Sequence, residues 1–525
     1  MRKAVRFISL AAIAVLLMAM TAVPASALST APYKGYNYDP YGDPTSAPLG
    51  YVPSKTYSYI DFGLDVALSS PEDFFVFTDE DGAQSLWIAD TNNNRIVVVD
   101  SNYNLVRIIT EFVTQEGESK ALIAPQSVFV KYNKDLNTNE IFVCTGGSKI
   151  DDKGKPAGEC FVYSATFEGV LVKTFSNPTD AIIKLDEFMP SSVVVDNSGF
   201  VYIHVNNCTE GLVVLRYSDG SFMTYYGANK VVLTWKTSVQ QTWKKIFSRE
   251  ASSTMISLTP TEMSGIFIDH EDFIYTTTST IEMDPDLRVR KLNGLGENIL
   301  KGDTNALVDV VFGEREKLGP NIDTRMIDIC VDENGVMATL DAELGRVYLY
   351  DQTCMLMTVF GFKTDGSGNT QNGATFEPYG IEKMGDNYLV LDRKVGTIVA
   401  YRPTYYIKML EEANDYYLKG WYIEGEQYWR EVIKYDANFA RGYAAIGKSL
   451  LEQEKYEDAL EWLKKGQDRT SYSKAYTEFR REFLRENYMW FVPLIAAAIV
   501  AFVLLIKLIQ KLLGVKTKKN KITFN

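Results

Sequence analysis

Short apolar runs separated by turn residues fill the chain from residue 55 to residue 403. Ser85-Leu-Trp-Ile-Ala-Asp90 is followed by Thr91-Asn-Asn-Asn94, then by Arg95-Ile-Val-Val-Val-Asp100 and Leu105-Val-Arg-Ile-Ile109. Runs of this length, rich in β-branched residues and bounded by Asn, Asp and Gly, predict strands joined by tight turns. The same grammar recurs at Ile141-Phe-Val-Cys144, Val193-Val-Val-Asp196, Gly265-Ile-Phe-Ile-Asp269, Met326 to Asp332 and Tyr388-Leu-Val-Leu-Asp392. With the opening stretch these make six sheet units, and a mainly β fold is expected for this part of the chain. From Tyr405 the apolar period changes from two to helical, and Met489 to Ile506 is unbroken by any polar residue.

One connection carries more information than the others. After Val359-Phe-Gly361 come spaced glycines at Gly366, Gly368 and Gly373, then Phe376-Glu-Pro-Tyr-Gly-Ile381. These residues resemble the NHL repeat, a blade of a β-propeller, in which such a loop leads from the outer strand of one blade to the inner strand of the next. The resemblance implies a six-bladed NHL-type propeller over 55–403. A phosphate-cradling loop would need a helix and a Lys-Ser/Thr pair directly after its glycines, and neither follows Gly373. The last unit runs out of chain at Tyr401-Arg402-Pro403 with three strands, so a strand at Lys55 to Gly63 is expected to close the ring from the opposite terminus.

The middle hairpins repeat an acid at a fixed place. Asp90 and Arg95 are five apart, Asp341 and Arg346 keep the same offset, and Asp392 to Thr397 keeps the acid without the base. A catalytic group would occur once. Recurrence across units favours braces, each acid holding a hairpin turn through backbone N–H groups and the facing Arg.

The largest interruption, residues 231–258, places Trp235, Val239, Trp243 and Phe247 every four residues, which predicts an amphipathic helix. It is expected either to pack over the channel mouth or to dock a partner. Residues 405–487 align with themselves at an offset of 34, matching Ala413, Tyr422, Gly425 and Trp429 with Gly447, Tyr456, Ala459 and Leu463. This resembles two tetratricopeptide (TPR) repeats, followed by a capping helix from Ser471 to Glu486.

The two ends set the expected location. Basic residues at Arg2, Lys3 and Arg6, an apolar run to Val23 and Ala25-Ser-Ala27 read as a signal peptide over 1–27. Residues 28–54 have no periodicity and read as an extended, partly disordered arm. A transmembrane helix is expected over 488–513 and a basic cytoplasmic tail over 514–525, giving a single-pass protein of the cell membrane with its body outside. The combination resembles surface proteins of Gram-positive bacteria.

Composition removes several chemistries. The net charge of -13 disfavours a nucleic-acid surface. Five cysteines are too few for a disulfide framework; Cys144 and Cys160 are either one bridge or two small buried side chains. The only histidines, His204 and His270, read as lying on a strand edge and in a turn, which disfavours a histidine metal site. No cofactor is expected, while a calcium site of carboxylates and amides on the propeller axis stays open. The expectation is a non-catalytic scaffold that binds protein or saccharide and serves as accessory to a transport system. The alternative is a metal-dependent lactonase or lyase on the same head.

Overall fold

The computed structural model describes residues 31–178, 185, 187–228, 262–279, 287–302, 308–315, 324–366 and 372–513. Residues 1–27, the helical insertion at 231–258 and the tail at 514–525 lie outside the described residues. The chain forms two compact units, Met1–Glu411 and Glu412–Asn525.

The first unit is a six-bladed β-propeller. Its blades are antiparallel meanders whose strands follow chain order from the axis outwards, except for the outermost strand of the sixth. The inner strands are Asp73–Thr78, Ile123–Asn133, Pro190–Val195, Ile266–Ile268, Met326–Val331 and Pro378–Met384. Each packs beside the next and the sixth beside the first, so the ring is closed. Among the described residues five blades have four strands and the fourth has three, with the Ile299 N–H bonded to the Lys291 carbonyl where an outer strand would begin.

A blade buries both faces against its neighbours, which is why residues on both sides of its middle strands are apolar. In the first blade Leu86 and Ile88 pack towards the last blade and Trp87 and Ala89 towards the second, all without exposed surface. Polar links join neighbouring inner edges: Lys131 Nζ to the Val195 carbonyl, Ser264 Oγ to the Met326 carbonyl and Lys383 Nζ to Asp332 Oδ2.

Closure differs in detail from the expectation. The outermost strand of blade six is Tyr51–Tyr57, antiparallel to Thr397–Pro403 with Tyr51 opposite Pro403 and Tyr57 opposite Ile398. Ser58 to Gly63 is instead a turn, in which Asp61 accepts the Ser58 N–H at 2.9 Å. Burial explains the shift, because Tyr51 and Val52 are 1 % and 3 % exposed and anchor the strand six residues upstream of Tyr57. The expected arm also carries a pair of short strands. Tyr36–Tyr38 pairs with Pro44–Ser46, and Tyr36 and Tyr38 both donate to the carboxylate of Glu314.

The loop that first marked the fold shows why its glycines are needed. Gly373 has φ +86°, and a Cβ there would sit 2.6 Å from Pro53 of the closing strand. Its carbonyl accepts the Tyr401 hydroxyl at 2.7 Å. Gly368 lies outside the described residues.

The five cysteines are free thiols. Cys144 is completely enclosed in blade two, and burial pushes its thiol up to about 12.

The second unit is helical. Helix α1 (Tyr405–Leu418) begins in the first unit; α2 (Tyr422–Tyr435), α3 (Ala440–Glu452), α4 (Tyr456–Lys465) and α5 (Arg469–Leu512) follow. Small residues sit where helices touch: a Cβ on Gly425 would meet Tyr416 at 2.7 Å, and one on Gly447 would meet Leu463 at 2.6 Å. Asp468 caps α5 by accepting the Ser471 N–H at 2.8 Å. The expected capping helix and the expected span that follows it directly are one continuous helix of 44 residues. Its distal part is long and apolar enough to cross a membrane. Pro493 lies within it without ending it.

Candidate functional site

Inner strands carry the residues that face the propeller axis. Four begin with the same irregularity, a bulge between Pro125 and Ser127, Pro190 and Ser192, Met326 and Asp328, and Pro378 and Gly380. A bulge leaves one residue unpaired and redirects its side chain. Gln126, Ser191, Ile327 and Tyr379 are those residues, and all four line a cavity of about 410 Å³ on the axis. Glu72, His204, Asn206, Glu262 and Arg325 add further polar groups to its wall, and every blade contributes.

Deeper in the ring, three carboxyl groups come from consecutive blades. Asp328 of blade five accepts the Ile381 N–H of blade six at 2.8 Å, and Asp73 of blade one accepts the Val128 N–H of blade two at 3.1 Å. Glu382 of blade six also lines the cavity. Burial pushes Asp328 up to about 7, against the N–H groups of Ile381 and Ile329. Burial, and after it the charge of Asp328, holds Asp73 and Glu382 well above the usual carboxylate range.

The sign of the pH dependence follows. Unfolded, Asp328 loses its proton near about 4; folded, it keeps it up to about 7. The folded state therefore binds more protons between these values, and stability falls as pH rises through that window, by at most about 1.4 kcal/mol per pH unit for one carboxyl. Asp328→Asn is expected to reduce the slope of denaturation midpoint against pH between about 4 and 7. An unchanged slope in the variant would contradict this placement of the proton.

The mouth also holds an unanticipated pair. Ser191 Oγ and His204 Nδ1 are 2.7 Å apart, and His204 Nε2 lies 3.8 Å from Glu262 Oε1. Glu262 accepts the Asn207 N–H at 2.7 Å. Burial lowers His204 to about 4, opposed in part by the backbone of Met263, so the ring is neutral near pH 7. His270 is exposed in a turn. The sequence separates Ser191 from its partner by thirteen residues, and only the bulge brings them together.

The hairpin acids lie at the ends of second strands. Asp90 has no exposed surface and receives Arg95 Nε at 2.7 Å, Asn93 Nδ2 at 2.8 Å and the Ser69 N–H at 2.7 Å. Asp341 accepts the Arg325 and Glu343 N–H groups at 2.9 and 3.0 Å, and Asp392 those of Phe376, Glu377 and Lys394. Each therefore ties its turn to the segment that enters the same blade. The facing base behaves differently in blade five: Arg346 pairs with the buried Glu314, not with Asp341, because Glu314 also gathers Tyr36, Tyr38 and Tyr348. Without a cation beside it, burial pushes Asp341 up to about 6.

Trp235, Val239, Trp243 and Phe247 lie outside the described residues. Among the described residues, no three His, Cys, Asp or Glu side chains converge to hold a metal ion.

No protein-family model matches the chain, and no curated protein matches it. Some solved structures are similar to part of it. Virginiamycin B lyase from Staphylococcus aureus is 10 % identical over 67 % of this chain and 99 % of that one, with a TM-score of 0.35. A gluconolactonase from Xanthomonas campestris is 9 % identical over 68 % and 98 %, with a TM-score of 0.35. The extracellular domain of a hybrid two-component system from B. thetaiotaomicron is 12 % identical over 62 % of this chain and 33 % of that one, with a TM-score of 0.33. Likenesses this distant transfer no functional residue.

Proposed function

We propose that the chain is a membrane-tethered binding protein whose NHL-type propeller head takes a polar ligand, a saccharide or a segment of a protein partner, at the axial mouth. The axial cavity carries this reading. Its volume of about 410 Å³ falls within the span of about 300–1,000 Å³ typical of ligand sites, and its wall offers donors and acceptors from every blade. Helices α2 and α4 begin 34 residues apart, which supports a TPR-like stalk between head and membrane helix. In this reading the head lies outside the cell and works beside a transport system.

The test is a panel of saccharides and peptides titrated against the detergent-solubilised chain. A ligand is expected to bind, and Gln126→Leu is expected to weaken it about tenfold with an unchanged melting temperature, as for the loss of one hydrogen bond in a dry site. Identical affinity in the variant would remove the axial mouth as the site, and no binding by any member of the panel would remove saccharides and peptides as its ligands. Including lactones with divalent ions in the panel tests the metal-dependent lactonase directly, since turnover rather than binding would be its result.

A further inference from the structure

Three side chains at the axial mouth have the spatial order of a nucleophile, a base and an orienting acid. Ser191 is the unpaired residue of the bulge that opens blade three. Its hydroxyl lies 2.7 Å from His204 Nδ1 and 3.2 Å from the His204 carbonyl. On the far side of the ring, Nε2 faces Glu262 Oε1 at 3.8 Å, close enough for the carboxylate to act on it through its charge but too long for a hydrogen bond. A carboxylate on that side favours a proton on Nε2, which leaves the Nδ1 lone pair to accept from the serine hydroxyl. All three residues line the axial cavity, where a ligand can reach them, and Asn206 lines it too with amide N–H groups that can stabilise an oxyanion.

We propose that Ser191 is an acyl-accepting nucleophile, with His204 as its base and Glu262 as the residue that positions the imidazole, and that the head cleaves a carboxylic ester on the ligand it binds. The proposal rests on the reading of the axial cavity as the ligand site. In the first half-reaction Ser191 Oγ attacks the ester carbonyl carbon while its proton passes to Nδ1. The bond from carbon to the alcohol oxygen breaks, and the departing alkoxide takes that proton. In the second, water attacks the acyl carbon and gives a proton to Nδ1; the bond from that carbon to Ser191 Oγ then breaks, and Oγ takes the proton from Nδ1. One ester and one water become one alcohol and one carboxylic acid, with no redox change and no metal required for balance. Nδ1 rather than Nε2 faces the serine, so the pair is recognised by its geometry and not by any sequence signature.

The test uses a fluorophosphonate on the detergent-solubilised full chain, because that probe needs only an activated serine and no knowledge of the ligand. Attack by Oγ displaces fluoride and leaves a phosphonyl adduct. Peptide mass mapping of the wild type is expected to place the adduct on Ser191, and Ser191→Ala to abolish it. His204→Gln is expected to slow labelling by about 10²–10⁴-fold, the usual contribution of a positioned base. Glu262→Gln should slow labelling and Glu262→Asp restore part of the rate at unchanged melting temperature, a pattern that loss of structure would not give. Hydrolysis of p-nitrophenyl acetate is expected to follow the same order. A wild-type chain with no adduct at Ser191, or a labelling rate unchanged by His204→Gln, would overturn the proposal. The two readings fail separately: a bound saccharide without an adduct sinks only the chemistry, and an adduct without any bound saccharide or peptide sinks only the ligand class.

Discussion

Tyr51→Ala is expected to destabilise the propeller by about 3–5 kcal/mol, the range for removing a large buried aromatic side chain. Tyr51 is 1 % exposed, with its ring centroid 4.8 Å from that of Phe360 and 5.0 Å from that of Tyr388. It starts the strand that closes the ring from the N-terminal side, and its hydroxyl donates to Glu411 Oε1 at 2.8 Å. Alanine thus empties space between two blades and also strips a half-buried carboxylate of its donor. Tyr51→Phe separates the two effects, since it keeps the ring and loses only the hydroxyl, at about 1–3 kcal/mol. Chemical denaturation followed by the fluorescence of Trp87, which is fully enclosed in blade one, measures both. A loss below about 0.5 kcal/mol in Tyr51→Ala, the level of an ordinary surface change, would mean that closure does not depend on this strand.

Asp90→Ala is expected to have a comparable effect, about 3–5 kcal/mol, because it removes one partner of a buried ion pair and leaves the other without it. The side chain of Arg95 is only 11 % exposed and keeps its charge, while the Ser69 N–H and the Asn93 amide lose their shared acceptor. The equivalent change in blade five provides the control. Asp341 accepts only N–H groups among the bonds described above, and Arg346 has its own carboxylate in Glu314, so Asp341→Ala strands no cation and is expected to cost about 1–3 kcal/mol. Equal losses at the two positions, measured by denaturant midpoints at one pH, would show that the salt bridge adds nothing to the brace.

That contrast also shows where the sequence stops being readable. Strands, turns and the sixfold repetition were legible because alternation and turn residues are local, and the glycine-rich loop after Phe360 because backbone crowding demands particular residues. The bonds of Asp341 to the Glu343 N–H and of Asp392 to the Lys394 N–H follow from hairpin geometry alone. The partner of Arg346 does not: Glu314 is 32 residues away in a connection without periodicity, and the tyrosines that share it come from residues 36 and 38. Those tyrosines were visible as composition but not as contacts, so an ordered segment read as a loose arm. The axial site was hidden for a related reason. A bulge shifts which side chain faces the channel by one place, and neither Ser191 beside His204 nor Asp328 beside Ile381 can be inferred without the register.

The strand by which the chain leaves the ring, Thr397–Pro403, is bonded along both edges, to Asn387–Asp392 on one side and to Tyr51–Tyr57 on the other. Immediately beyond it, the Thr404 N–H and hydroxyl bond the carbonyls of Gly50 and Leu49 at 2.8 and 2.7 Å. A pull exerted on residue 405 along this strand must slide two ladders at once, whereas an edge strand could be peeled from one ladder a bond at a time. Rupture under force is governed by the barrier to that sliding and not by equilibrium stability, so the last strand of the ring is a seam that resists being torn out.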